Sequence, residues 1–449
     1  MFAVFSFVGA KMQSLARVFA SRVANDGGTT ESLNCINPSY LLSQASFLQI
    51  PSGVKATVAY SELPTNGNGD LTWSRNSVAN RTQSDGSIGS VAANVARLSY
   101  MYGSCPALLL EPQRTNSLRN STMQGASTSP STLPTNWIAT LGGLTQTIVG
   151  VGTENGLPYI DVRLSGTATG TLSTISFESN SQIVSSNGQT WTGSFWVKQI
   201  AAPTPPNSYS SLARESNSSG LNLATTAQSF TISSTLNRIT QTRTNSNAST
   251  AYQNFSFAAG VTIGQSYDFT VRIAAPQLEL GAYATTWINT TNAAATRLAD
   301  TFTCNNIYTN GLISASGGTW YVELRNNIVY TRDANVIGLF IGDTNTGTTN
   351  SLAIRGTTAS RLTISKSVSG SVTTIYTTTT DTVKLALKWN GTGVDIFANG
   401  VKVVSASSFT TTLMEFLGHS TTGDVPKFIQ AMALYPTALS DINCTALTT

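Results

Sequence analysis

Histidine occurs once in 449 residues, cysteine four times, and charged side chains make up only 10% of the chain, against an ordinary share of about a quarter. Each scarcity excludes something. A Ser-His-Asp relay has one place to form, around His419 in Leu417-Gly-His-Ser420. No Gly-x-Ser-x-Gly elbow supplies its nucleophile, so His419 reads as a turn or packing residue. The charge sums to +4 with no lysine or arginine stripe, which argues against nucleic acid as a partner. Cys35, Cys105, Cys304 and Cys444 lie far apart without a C-x-x-C pair, so neither a zinc site nor a disulfide framework is expected, and four buried free thiols are. The apolar run Met1–Ala10 is too short to span a bilayer. It also lacks a basic leader, since Lys11 and Arg17 follow it. The expectation is a protein made in the cytoplasm, without a membrane partner, that joins an assembly.

Serine, threonine, asparagine and glycine take the place of charge. Such polarity fits disorder, but apolar and aromatic residues recur at regular spacing through most of the chain, which argues for packed β-structure. In residues 1–30, Phe2, Phe5, Val8, Met12, Leu15, Val18, Phe19 and Val23 fall near helical spacing, and Asn25-Asp-Gly-Gly28 ends the segment. The helix either docks on a partner chain or packs on its own downstream domain. Residues 31–118 are punctuated by Ile50-Pro-Ser-Gly53, Leu63–Gly69 and Ser84-Asp-Gly86, with short extended candidates at Val54–Tyr60, Leu71–Arg75 and Val91–Leu98.

Two blocks of strands follow. In residues 119–300, Gly193–Lys198, Phe230–Ser233, Tyr252–Phe257 and Tyr267–Ile273 alternate as strands, separated by loops such as Ala202–Asn207 and Thr244–Thr250. In residues 301–449 the strands are Trp320–Leu324, Val336–Ile341 and Leu362–Ser365. Asn390-Gly391 and Asn399-Gly400 predict two hairpins, because Asn-Gly tolerates the positive φ angles of a tight turn. The stretch that divides the chain is Leu108-Leu-Leu-Glu-Pro-Gln-Arg-Thr-Asn116. Pro112 ends the leucine run because it has no N–H for a ladder, and the polar residues after it suit a turn.

The runs Ser87–Leu98 and Gly103–Asn116 resemble a pattern in fibre and spike proteins of tailed bacteriophages, where it precedes a jelly roll like a carbohydrate-binding domain. Asp70–Arg81 resembles the approach to that module, where chains wrap around each other as a homotrimer. Ala275-Pro-Gln-Leu-Glu-Leu-Gly-Ala-Tyr-Ala-Thr-Thr-Trp-Ile288 looks like its closing strand. The order of the last block, with Val401–Val403 and Ala433–Asp441, is similar to concanavalin-like (laminin G-like) sandwiches, and its Leu-Ser-Asp would open one last helical turn. The resemblances cover most of residues 70–449 and residues 1–69 only weakly.

They imply a mostly β fold: an N-terminal helical or extended virion-anchoring segment (1–69), an extended wrapping linker (70–118), a carbohydrate-binding-like jelly roll (119–300) and a concanavalin-like β-sandwich (301–449). Both module families often hold a structural calcium. Asp343, Asp381 and Asp424 offer oxygens, but no EF-hand-like loop is present and no metal ligand is assigned.

Hydrolysis of a glycoside needs two carboxylates across a groove. The first module offers Glu154, Asp161, Glu178, Glu215, Asp268 and Glu279 without a motif to pair them, and no β-helix repeat is visible. No catalytic residue is assigned, and no enzyme is expected. Sugar binding asks for less, an exposed aromatic face with amides or hydroxyls beside it. Trp137, Tyr209 and Tyr252 stand in loop-like context and are the glycan-binding candidates, against the competing reading of core or trimer-contact aromatics. Trp196, Trp287, Trp320 and Trp389 lie in strand patterns and are expected in cores. The expectation is a virion-surface fibre or spike subunit, on the head in preference to the tail. It would bind capsid or tail proteins through residues 1–69 and adhere to glycans through its distal modules. The alternatives are a polysaccharide-hydrolysing tail spike and a purely structural capsid decoration.

Overall fold

The computed structural model describes residues 41–449 apart from 52, 56, 326–335, 358–360, 381–382, 410–412 and 420–426. The expected N-terminal helix, Cys35, Asp381 and Asp424 lie outside the described residues. Within them the chain is mostly antiparallel β, organised as sandwiches, with an α-helix at Asp441–Thr448. It divides into two compact units. One is Arg114–Arg297, and the other joins the residues up to Gln113 with Leu298–Thr449.

The discontinuous unit is a sandwich of two large sheets. In one, the order is Val401–Ser408, Gly393–Ala398, Val383–Trp389, Gly318–Arg325, Lys427–Tyr435, Ala107–Leu110 and Arg97–Ser99, and Phe47–Gln49 also pairs with Lys427–Tyr435. The other begins with Val54–Lys55, Val58–Ala59, Leu71–Ser74 and Thr301–Asn305, and runs on through Phe416–His419 to Ser371–Thr378. Phe47, Leu71, Trp73, Leu108 and Leu110 pack into the same core as Trp320, Leu339, Ile364 and Trp389. Residues 70–118 are therefore not a linker, and residues 41–69 are not a separate anchor. The backbone groups of Lys427–Tyr435, buried along its whole length, need partners on both sides. Phe47–Gln49 and Ala107–Leu110 supply one side, and Gly318–Arg325 the other. Both Asn-Gly hairpins form. Asn399 and Gly400 both have positive φ, as a type I′ turn requires. The expected last helical turn is a full helix, N-capped by Ser440, whose hydroxyl accepts from Asn443 N.

The inserted unit is a second antiparallel sandwich. Its first sheet runs Ile138–Thr140, Leu172–Ser176, Tyr252–Gly260, Ser208–Ser216, Asn222–Phe230, with Ile183–Val184 beside Tyr252–Gly260. Its second runs Thr145–Glu154, Leu157–Thr167, Ser266–Leu280, Thr190–Thr204, Asn237–Thr244. Ile160, Val162, Phe195, Val197, Phe269 and Val271 from one sheet meet Ile175, Ala213, Phe255, Phe257 and Ala259 from the other. Gly193 is required by this packing, since a Cβ there would come within 2.4 Å of the Phe255 ring. The hairpin Thr145–Glu154/Leu157–Thr167 turns on Asn155-Gly156, again with two positive φ angles. The expected strand at Phe230–Ser233 instead ends at Phe230.

The dividing stretch serves both units, residue by residue. In the discontinuous unit Glu111 and Asp300 are buried with Arg75 and Arg97. Arg75 Nη1 lies 2.7 Å from Asp300 Oδ1, and Arg97 Nη1 lies 2.7 Å from Glu111 Oε2, while Arg97 Nη2 contacts Asp300 Oδ2. Asp300 N donates to the Glu111 carbonyl at 2.9 Å, and Glu111 N donates to the Asp300 carboxylate at 2.9 Å. In the inserted unit, Arg114–Asn116 pairs with Ala295–Arg297. The buried Asn116 side chain donates to the carbonyls of Ile288 (2.9 Å) and Pro276 (3.3 Å) and accepts from Leu278 N (3.1 Å) and Leu118 N (3.2 Å). Gln277 Oε1 accepts from Ile288 N at 2.6 Å, and Glu279 accepts from Thr285 N and Oγ1. The two family-like motifs thus meet each other, and what they do is close the sandwich.

One expectation about cysteine fails. Cys304 and Cys444 are buried free thiols, each pushed up to about 12 by burial. Cys105 is disulfide-bonded. It sits half-buried in the loop between Arg97–Ser99 and Ala107–Leu110, outside any apolar core. An expected consequence of the charge cluster is that Asp300→Ala destabilises the discontinuous unit by about 3–5 kcal/mol, because two buried guanidinium groups lose a partner. Urea denaturation measures this, and a loss below about 1 kcal/mol would show the cluster to be energetically idle.

Candidate functional site

The three sequence candidates separate in the structure. Trp137 is 6% exposed, its indole N–H donates to the Asn120 carbonyl at 2.9 Å, and its ring meets Phe177 edge-on at 4.9 Å. It is a core residue with its polar group satisfied, not a binding platform. Tyr209 is half-buried at an end of the first sheet, where Pro206, Phe230 and Ile232 form an open recess with it. Its hydroxyl donates to Gln199 Oε1 at 2.8 Å, and burial pushes that hydroxyl up to about 12. Tyr252 lies on the outer face of the same sheet, half-buried, with no hydrogen bond for its hydroxyl among the described residues.

Strand alternation decides what surrounds Tyr252. Phe255, Phe257 and Ala259 point into the core, so Tyr252, Asn254, Ser256 and Ala258 point out. Across the sheet, Tyr252 stands opposite Ser216 and Val184, Asn254 opposite Arg214, Ser256 opposite Leu212 and Ser176, and Ala258 opposite Ser210 and Thr174. The next strand adds Thr225 beside Arg214 and Ala227 beside Leu212. The centre of this face is low and buried, with Asn254, Ser256 and Ala258 at 0% exposure. Its margins at Ile138, Thr140, Val184, Thr225 and Ala227 are exposed. Asn254 Nδ2 donates to the Glu178 carbonyl at 2.6 Å, and Ser256 donates to Asn254 Oδ1 at 2.9 Å.

Arg214 is the residue that sequence reasoning missed. Directly opposite pairs in a sheet lie about 5 Å apart and diagonal ones about 7–8 Å, which puts Arg214 within side-chain reach of Tyr252. Arg214 has no ion pair or hydrogen bond among the described residues, and burial alone lowers its affinity for its proton. Nothing in the local string Leu212-Ala-Arg-Glu-Ser216 distinguishes it. Its neighbour Glu215 points the other way, 0% exposed, and receives Arg243, Thr250 Oγ1 (2.6 Å) and Ser246 N (3.1 Å).

The six candidate acids of this unit are all engaged. Glu154 and Asp161 converge on Arg272, and Glu154 also takes Lys198 at 2.7 Å. Asp268 pairs with Arg163, and Glu178 with Arg119, at 2.7 Å each. Glu279 is 0% exposed, and burial holds its carboxyl above the usual range. Of the four strand tryptophans, Trp287, Trp320 and Trp389 are buried as expected. Trp196 is not: it is half-buried on the outer side of the second sheet, with the Arg238 guanidinium 4.5 Å above its ring. His419 is buried, stacked on Phe302, with Nε2 2.9 Å from Lys427 Nζ. Asp343 accepts from Asn350 N and Nδ2, and no cluster of three or more His, Cys, Asp or Glu residues able to hold a metal occurs among the described residues.

No protein-family model and no curated protein matches the chain. Solved structures with similar folds include the CBM40 of Ruminococcus gnavus IT-sialidase bound to alpha2,3 sialyllactose (16% identity, 30% of this chain and 84% of that chain, TM-score 0.24). Domain 4 of AbnA, a GH43 extracellular arabinanase from Geobacillus stearothermophilus, in complex with arabinotriose, is similar at 16% identity over 38% of this chain and 81% of that chain (TM-score 0.26). The enzymatically active domain of bacteriophage CBA120 tailspike protein 4 is similar at 16% identity over 37% of this chain and 21% of that chain (TM-score 0.24). These are distant likenesses, to carbohydrate-binding modules and to a tailspike domain, and they concern the β-sandwich fold alone.

The motif contacts carry an expectation of their own. Asn116→Ala leaves buried backbone groups of Ile288 and Leu278 without their partners and should destabilise the inserted sandwich by about 1–3 kcal/mol. Thermal or urea unfolding reads this directly, and an unchanged midpoint would mean that the motif closes nothing.

Proposed function

We propose that this chain is a subunit of a tailed-bacteriophage appendage, a homotrimeric fibre or spike carried on the head in preference to the tail. Its sandwich units adhere to glycans of the host surface or surroundings. The resemblance of Ser87–Leu98, Gly103–Asn116 and Ala275–Ile288 to fibre and spike proteins supports the virion role. The observation that carries the adhesive role is the outer face around Tyr252. There an aromatic side chain whose hydroxyl has no hydrogen bond among the described residues stands beside the half-buried Arg214 and the exposed Thr225, over a buried floor that includes Ser216, Asn254 and Ser256. That is the surface a sugar needs: a π-face for its apolar side and neutral donors and acceptors for its hydroxyls. We propose binding without turnover. The engagement of all six acids of the unit by cations, hydroxyls or burial supports this, since a glycosidase needs one free acid and one free base.

Two measurements test this. Serum against the purified chain, used to label intact particles for electron microscopy, should decorate the capsid. Label at the tail moves the protein to receptor binding, and unlabelled particles would remove the virion role. Tyr252→Ala should weaken glycan binding by roughly tenfold, about 1.4 kcal/mol, with an unchanged melting temperature. Full binding by this variant would place the sugar elsewhere, and new reducing ends released from bound polysaccharide would make the protein a hydrolase.

A further inference from the structure

The two outer faces of the inserted sandwich treat charge differently. On the second sheet every arginine and lysine named above has an answer. Arg272 grips Asp161 through two nitrogens at 2.8 Å, reaches Glu154 and lies 3.3 Å over the Tyr159 ring. Lys198 holds Glu154, and Arg163 holds Asp268. Arg238, on the same face, lies over Trp196 and donates to Ser194 Oγ and the Thr285 carbonyl. On the first sheet Arg214 is half-buried with no acid against it. Glu178, which shares the Asn254 row, is already taken by Arg119 through Nε at 2.9 Å and Nη2 at 2.7 Å.

A guanidinium does not shed its proton in a protein, so Arg214 remains charged however poorly it is solvated. A partly buried, unpaired charge is destabilising, and an anion that docks against it recovers the lost interaction. The planar fork matches a carboxylate through two parallel hydrogen bonds, a geometry a lysine lacks. The groups around it are neutral: the hydroxyls of Ser216, Thr225 and Tyr252, and the Asn254 amide.

We infer that this face selects acidic glycans, with Arg214 receiving the carboxylate of an acidic sugar and Tyr252 carrying the sugar ring beside it. The inference rests on the glycan-binding reading above and names the ligand class of the same site. Arg214 is the specificity-determining residue, and Tyr252 contributes affinity to acidic and neutral chains alike.

The test uses the full chain on an array of bacterial polysaccharides, acidic and neutral, with each acidic member also present in carboxyl-reduced form. Wild type should bind acidic members roughly tenfold or more tighter than their reduced counterparts, as expected for losing a charge-assisted bidentate contact. Arg214→Gln should erase that preference, so that acidic members and their reduced counterparts bind with the same weak affinity. Arg214→Lys should restore part of it, and salt should weaken only the acidic binding. Equal binding of acidic and reduced forms by wild type, or an acidic preference that survives Arg214→Gln, overturns the carboxylate assignment and leaves glycan adhesion standing. A preference confined to phosphate-bearing polymers overturns it too. Absence of binding to every member sinks the adhesive reading itself, so the two failures are distinguishable.

Discussion

Asp300 is a buried carboxylate held by two buried arginines, and much of the molecule hangs on that arrangement. Removing such charges from water is costly unless each finds partners, so the site forms only when Arg75, Arg97, Glu111 and Asp300 arrive together. Those four residues come from four strand regions, three before a long insertion and one after it. Arg75 also donates to the carbonyls of Ser77, Val95 and Ala92, and Arg97 to that of Asn80, so the cluster organises irregular backbone as well. Because Glu111 and Asp300 exchange backbone and side-chain hydrogen bonds, the points where the chain leaves this unit and returns to it are held side by side. The insertion can then be a complete sandwich of its own, entered through Arg114–Asn116 and left through the paired strand Ala295–Arg297.

The same economy of charge shapes the inserted unit. With so few ionisable side chains, those present are mostly used in pairs that are structural. Glu215 shows this well: burial pushes its carboxyl up, but Thr250, Arg243 and the Asn247 backbone outweigh burial and hold it below the usual range, which fixes the loop at Ser246–Thr250. Against such a background an arginine without an acid stands out, and so does a tyrosine with an unused hydroxyl one row away. The contrast comes from register. A shift of one residue in Ser208–Ser216 would send Arg214 inward and Glu215 outward, and the face would change sign.

Much of the fold was legible in the sequence because its signals are local. Asn399-Gly400 makes a tight turn wherever it stands, alternation places Phe255 and Phe257 on one side of a strand, and Ser440 caps a helix from three residues away. Asn155-Gly156 carried the same turn signal, and the long hairpin around it was there to be read. The family-like runs also marked a real boundary, since Gln113 ends the first segment of one unit and Arg114 begins the other. The candidate site was legible only in part. Tyr252 could be proposed as an aromatic in a polar setting. Trp137 in a similar setting proved to be core, because its indole N–H finds the Asn120 carbonyl and its ring finds Phe177.

By itself, then, the sequence determined a mostly β chain of sandwich modules, poor in charge and in catalytic groups, with a dividing point near Pro112. The tertiary structure alone decided that residues 41–113 complete the sandwich begun after Leu298, because pairing of a central strand has no local signature and depends on backbone groups hundreds of residues apart. It also decided which charges were paired and which were left without an acid. Whether an arginine has a carboxylate beside it is a fact about neighbouring strands, and neighbouring strands are chosen by the core.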